Sequence, residues 1–229
     1  MLEVKGIDVS YGHARVVHDL NLRLDRGEMV FIVGRNGAGK TTLLKTVAGL
    51  LRPVKGTITF QDKEIHGLPA EKLARRGFRF VAQEKKVFSS LTVRSNIELA
   101  AHGAGEDLDT ALKKATSIYP DLSRFMDKKA GGLSGGQREI LLIGRALIGE
   151  PKILLIDEPT EGLAVIVIED IFRILREMKE KVSAVIVEQN LSVVSRLADR
   201  IYIMKEGKII KEFANKAEIA DITELERYL

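Results

Sequence analysis

Residues 34–41 read Gly-Arg-Asn-Gly-Ala-Gly-Lys-Thr, the spacing GxxxxGKT. Glycines at 37 and 39 let the backbone curl until successive N–H groups point inward, a shape that receives phosphate oxygens. The apolar run Met29–Val33 precedes this loop and a helical pattern follows it, so the positive end of a helix adds to the attraction. In a strand–loop–helix unit of this kind Lys40 reaches the β- and γ-phosphates and the Thr41 hydroxyl can ligate Mg2+. Gly34, Arg35, Asn36, Gly37, Ala38, Gly39, Lys40, Thr41 and Thr42 are therefore the candidate nucleotide contacts.

Two further stretches belong with it. Residues 153–158 read Ile-Leu-Leu-Ile-Asp-Glu, a buried strand ending in adjacent carboxylates. Strand tips are where open α/β sheets bind ligands. Asp157 there is placed to hold Mg2+ through water, and Glu158 to polarise an attacking water as general base. Ahead of that strand, Leu133-Ser-Gly-Gly-Gln137 reads as a second anion corner: Ser134 caps a helix start, and Gly135 and Gly136 leave backbone N–H groups uncovered. A guanine-reading NKxD is missing, since the near match Asn215-Lys-Ala-Glu218 ends in Glu. Adenine held by stacking fits better, with Tyr11 as the candidate aromatic.

These residues need a scaffold that brings strand tips together. Leu2, Val4, Ile7 and Val9, then Leu20, Leu22 and Leu24, fall in half-buried strand patterns. Five mainly apolar runs follow: Met29–Val33, Phe78–Ala82 (broken by Arg79), Ile153–Ile156, Ala184–Val187 and Ile201–Met204. Strands apolar on both faces belong to parallel sheets covered by helices. Helical patterns lie near 39–50, 135–149, 165–180 and 190–198, which predicts an α/β fold. Residues 85–132 carry helical periodicity near 92–102 and 107–118, and predict an inserted helical lobe. The expected division is a catalytic αβ lobe over 1–84 and 151–229, with the helical lobe and the helix after Ser134 over 85–150. The tail 216–229 predicts one short final helix.

Composition narrows the function classes. Hydrophobic residues make up 45% of the 229 residues and the net charge is only +4, so the chain is not a disordered one. The longest apolar run, Leu163–Ile168, is far short of the roughly 20 residues a bilayer span needs. Cysteine is absent, and His13, His18, His66 and His102 show no ligand spacing. The N-terminal MLEVKGIDVS lacks the apolar segment of a secretion signal, so the expected compartment is the cytoplasm. Basic pairs such as Arg75-Arg76 and Lys85-Lys86 are dispersed and not interleaved with aromatics, which argues against a nucleic-acid groove.

Taken together, the Gly34–Thr41 loop, the Ile153–Glu158 strand and Leu133–Gln137 resemble the ATP-binding cassette (ABC) family, over nearly the whole chain. The resemblance implies a P-loop NTPase fold of RecA-like type, with a mostly parallel core sheet, an antiparallel β subdomain and an inserted α-helical subdomain. It implies ATP and Mg2+ as ligands, with Thr41, Gln83 and Asp157 around the metal. It implies a second cassette, identical or related, whose Ser134, Gly135, Gly136 and Gln137 close over the γ-phosphate held by the first. Tyr11 stands where the adenine-stacking aromatic is expected, and Gln83 where a glutamine senses the γ-phosphate. Val87, Phe88 and Leu91 stand where the lobe meets transmembrane permease subunits at the cytoplasmic face. Gln189 occupies the switch position, usually a histidine, and can hydrogen-bond phosphate without becoming cationic.

That glutamine, and Glu161-Gly-Leu-Ala164 in place of Ser-Ala-Leu-Asp, resemble the cassettes of branched-chain amino-acid importers, which work with an extracytoplasmic solute-binding protein. Val165 instead of Pro, and Gln83 instead of Glu, depart from that pattern. Urea or other amide importers, and a soluble ABC ATPase acting on nucleic acid or ribosomes, are the alternatives.

Overall fold

The computed structural model describes residues 1–84, 86–179 and 181–229. Lys85, the expected first residue of the helical lobe, and Glu180, the expected end of a helix, lie outside the described residues.

Two sheets form the body. The first is antiparallel, in the order β2 (Ala14–Leu24), β1 (Leu2–Tyr11), β4 (Lys55–Phe60), β5 (Lys63–Glu64). The second has the order β10 (Lys208–Phe213), β9 (Arg200–Lys205), β3 (Met29–Val33), β8 (Ser183–Val187), β7 (Ile153–Asp157), β6 (Phe78–Val81). All its neighbours pair in parallel except β10, which returns antiparallel on β9.

The continuous apolar strands are explained by burial on both faces. In β3, Val30 and Ile32 pack toward the antiparallel sheet and α1 (Lys40–Val47), beside Leu43 and Leu44. Met29, Phe31 and Val33 face the opposite side, against α5 (Gly135–Leu147), α6 (Val165–Met178) and α7 (Leu191–Leu197). The exception is β6, an edge strand whose Arg79 and Phe80 are only half-buried. Helices α3 (Val93–Ala104) and α4 (Leu108–Ile118) pack with one face of α5 around a separate apolar cluster that includes Val93, Ile97, Ala111, Ala115 and Leu141. Side chains start both helices, Thr92 accepting from the Ser95 N–H and Asp107 from the Thr110 N–H.

The tail is a correction. It forms two helices, α8 (Lys216–Ala220) and α9 (Ile222–Glu226), because Asp221 breaks the first and its side chain caps the second through the Glu224 N–H. The strands β4, β5 and β10 and the short helix α2 (Ala70–Arg75) are additions to the expected elements. They are short or strongly charged, and their periodicity is correspondingly weak.

Register sets the function. Val81 pairs with Ile156, Asp157 with Val187, and Val187's neighbour strand places Ile32 beside it. The four tips therefore end at one edge, with Gln83, Asp157-Glu158, Glu188-Gln189 and the Gly34 loop side by side.

Candidate active site

The loop after β3 is shaped by close approach. A Cβ on Gly34 would stand 2.2 Å from the Met204 carbonyl oxygen, and one on Gly39 2.9 Å from the Met204 methyl. Gly39 also has φ +100, a left-handed conformation that glycine adopts at little cost, and it begins α1 without any side-chain cap. The first N–H groups of α1 are thus left for a ligand. A cavity of about 330 Å³ opens here, lined by Val16, Asn36, Gly37, Gly39, Lys40, Thr41, Thr42, Gln83 and Glu158.

Lys40 is buried, and its ammonium folds back onto its own loop. Nζ donates to the Gly34 carbonyl at 2.7 Å and the Arg35 carbonyl at 3.1 Å, and lies 3.5 Å from Glu158 Oε1. Glu158 is itself surrounded by donors. Gln83 Nε2 reaches its Oε2 at 3.0 Å, and Gln189 Nε2 reaches its Oε1 at 2.8 Å. The Gln83 nitrogen also donates to Glu161 Oε2 at 2.9 Å, and the Gln189 nitrogen to Asn36 Oδ1 at 2.8 Å. With carboxylates on its nitrogen side, the Gln83 carbonyl is the end that can face a cation.

Asp157 differs from its neighbour. It is 1% exposed, and neither carboxylate oxygen finds a hydrogen-bond partner among the described residues. Burial pushes its carboxyl up. The Thr41 hydroxyl, near but short of good hydrogen-bond geometry, and the Lys40 ammonium pull it back, while Glu158 adds to the rise. A buried carboxylate with two orphaned oxygens, beside a hydroxyl and an amide carbonyl, suits a hard divalent cation. Mg2+ takes few protein oxygens and completes its shell with water and phosphate. No group of three or more His, Cys, Asp or Glu side chains arranged to hold a metal ion by themselves is found among the described residues, and a Mg2+ held in that way does not need one.

The second corner lies apart. Ser134 accepts from the Gln137 N–H at 3.2 Å, and the Gln137 side chain accepts from the Ser134 N–H at 3.0 Å, a complete capping box that opens α5. Ser134 is exposed. Gly136 is buried, and it carries a packing role besides the expected one: a Cβ there would lie 2.3 Å from Val167 Cγ1, so its absence lets the start of α6 approach α5. Tyr11 sits at the end of β1, in the hairpin to β2, paired with Ala14 and 48% exposed, and it does not line the cavity. A larger cavity of about 910 Å³ opens at the opposite edge, where Gly27, Lys152 and Ser183 precede or begin the strands. It contains none of the residues singled out above.

The ABC transporter family model matches residues 17–161, which include the Gly34 loop, Ser134–Gln137 and Asp157-Glu158. The chain belongs to the ABC transporter family. It is an ABC-type ATPase, a transporter subunit that binds and hydrolyses ATP. It is similar to the high-affinity branched-chain amino acid transport ATP-binding protein BraG of Pseudomonas aeruginosa, 35% identical over 100% of this chain and 99% of that protein. It is also similar to the lipopolysaccharide export system ATP-binding protein LptB of Haemophilus influenzae, 34% identical over 92% of this chain and 89% of that protein. Among solved structures, a dimeric post-hydrolysis state of the ATP-binding cassette MJ0796 bound to ADP and Pi superposes with a TM-score of 0.83, at 27% identity, covering 93% of this chain and 98% of that one. Among the described residues of this cassette, no helix is long and apolar enough to cross a membrane.

The strand-tip residues are legible in the sequence, whereas their partners are not. Val16, whose carbonyl would stand 3.2 Å from a Cβ on Gly39, lines the cavity from β2. Glu161 and Thr160 tie the following loop to the neighbouring tips. The available signal was their closeness to Glu158 in the chain; their geometry depends on neighbouring strands far away in sequence.

Proposed function

We propose that this cassette powers a membrane importer of a small polar solute, with branched-chain amino acids as the class that fits best. The observation that carries the two-cassette part is the separation of the anion corners: Gly34–Thr41 faces the cavity with Gln83 and Glu158, and none of Ser134–Gln137 lines it. Two cassettes set head to tail bring Ser134, Gly135, Gly136 and Gln137 of one over the triphosphate cradled by the other. A ligand shifts a conformational equilibrium only through differential affinity for its states, and the γ-phosphate supplies that difference.

In each site Lys40 exchanges its loop carbonyls for β- and γ-phosphate oxygens, and the N–H groups of 37–42 receive the rest. Glu158 orients the attacking water and takes its proton, and Gln189 donates to a phosphate oxygen while staying uncharged. Asp157, Thr41 and Gln83 would hold Mg2+, whose charge offsets that of the phosphates when it is bound. Tyr11 stacks on adenine. Gln83, bonded to Glu158 and Glu161, relates the phosphate site to residues 85–150, which we treat as a lobe moving against 1–84 and 151–229. Val87, the half-exposed Phe88 and Leu91 meet the permease subunits at the cytoplasmic face, and the solute-binding protein acts through the permease on the other side.

The cargo reading is supported by the full-length likeness to BraG and by Gln189 with Glu161–Ala164. Lipopolysaccharide export is the second reading, favoured by the likeness to LptB. Glu158→Gln keeps the side chain's size but cannot accept a proton. We expect ATP binding within about twofold of the parent and steady hydrolysis lower by about 10²-fold or more. A phosphate-release assay with wild-type turnover in this variant would remove Glu158 from the base role. ATP-driven leucine uptake by vesicles reconstituted with the co-purifying membrane chains separates the two cargo readings, since an export cassette gives none.

A further inference from the structure

Glu188 follows the last residue of β8, is 2% exposed, and has no part in the reading above. Its carboxylate accepts four hydrogen bonds. Oε1 takes the Thr160 backbone N–H at 3.1 Å and the Thr160 hydroxyl, and Oε2 takes the N–H groups of Gln189 at 2.7 Å and Asn190 at 2.8 Å. Its own N–H donates to the Ile32 carbonyl at 3.2 Å, and the Glu158 N–H donates to the Val187 carbonyl at 3.0 Å. The backbones of β3, β8 and β7 are thus held one step beyond their strands. The Glu188 side chain then crosses from the turn at 189–190 to the loop after Pro159.

We infer that Glu188 is a positioning residue for hydrolysis: it makes the 160–164 loop and the 189–190 turn move as one body, and so sets the Gln189 amide against Glu158. The inference rests on the roles proposed above for Glu158 and Gln189. Its chemistry is specific to a carboxylate. Three N–H groups converge on the side chain, and only a group with two acceptor oxygens satisfies all of them. An amide of the same shape turns an NH2 toward either the N–H groups of 189 and 190 or that of Thr160, and one of the two loops is released.

The coupled loop has an outward end. It leads into α6, whose first residues Val165 and Ile166 are each 77% exposed, and on the way Glu161 accepts from Gln83. A displacement at that exposed edge therefore reaches Gln189 through Thr160 and Glu188, without passing through the nucleotide.

The test compares full-length Glu188→Gln, Thr160→Val and Thr160→Ser. It reads kcat and KM for ATP separately, together with nucleotide Kd by titration, and runs Glu158→Gln in parallel. We expect Glu188→Gln to lose about 10- to 100-fold in kcat with Kd within about twofold. Thr160→Val should lose kcat in the same direction, and Thr160→Ser, which keeps the hydroxyl, should recover it. If Glu158→Gln lacks turnover while Glu188→Gln and Thr160→Val keep kcat within about twofold of the parent, the inference is overturned and the reading of Glu158 stands. If Glu158→Gln turns over normally, that reading fails and takes the inference with it. A loss of Kd in step with kcat in both Glu188→Gln and Thr160→Val overturns it as well, since the whole site has then collapsed. Should Glu188→Gln not fold, Thr160→Val against Thr160→Ser decides.

Discussion

Asp157 and Glu158 are chemically near-equivalent neighbours that the fold treats in opposite ways. Glu158 is met by two amides and an ammonium, whereas Asp157 is buried with both oxygens unpartnered. The Asp157 carboxyl, raised by burial, binds protons more readily in the folded chain than in the unfolded one. Its contribution to stability therefore falls as pH rises through its folded value and is recovered below it. Asp157→Asn removes that cost. In nucleotide-free, Mg2+-free buffer at neutral pH we expect the variant to melt about 2–4 °C above the parent, the shift that roughly 1 kcal/mol gives in a domain of this size. We also expect the gain to shrink as pH is lowered through the folded value, and Mg2+-dependent hydrolysis to be lost. A melting point at or below the parent's at neutral pH would show that Asp157 already has a partner.

At the scale of elements, the start of α5 meets the first turn of α6 at a tight point, Gly136 against Val167. Three atoms of Val167 lie within 3.1 Å of where a Gly136 Cβ would stand, so the valine cannot clear the space by rotating its side chain. Gly136→Ala gains up to about 1 kcal/mol of helix propensity but forces two packed helices apart, which costs about 1–3 kcal/mol. We expect a net loss of stability by denaturant titration, with weaker ATP-dependent association than the parent; a stability gain would contradict the packing. This is also where reading from sequence reached its limit. The strand–loop–helix at 29–47 was legible because the Gly, Lys and Thr spacing and the apolar run say the same thing. Gly136 was legible as a glycine but not as a packing contact, because Val167 lies on another helix. Glu188 was visible as a polar residue closing an apolar strand, yet its bonds to Thr160 depend on β7 and β8 lying side by side. The strand β10 escaped notice because Lys208–Phe213 mixes charges with adjacent isoleucines and has no clean alternation.

At the scale of the whole molecule, the Ser134–Gln137 corner proposed to meet a second cassette has the 160–164 loop and the start of α6 beside it, Leu163 against Gly135 and Val167 against Gly136. Val165 and Ile166 stand out there as a large apolar pair on an uncapped helix start. Replacing both with Asp leaves the fold's core untouched, so we expect thermal stability within about 0.5 kcal/mol of the parent. We expect ATP-dependent dimerisation of a Glu158→Gln background to be lost by light scattering. An undiminished dimer would place the contact elsewhere. Within each cassette, the Lys40 ammonium at rest on the Gly34 and Arg35 carbonyls has a consequence for unloading. Taking up a triphosphate is a swap of partners, and the same swap runs backwards when the spent nucleotide departs. A cradle whose lysine has a home to go back to gives up some grip on both fuel and ash, and in return clears itself sooner for the next round.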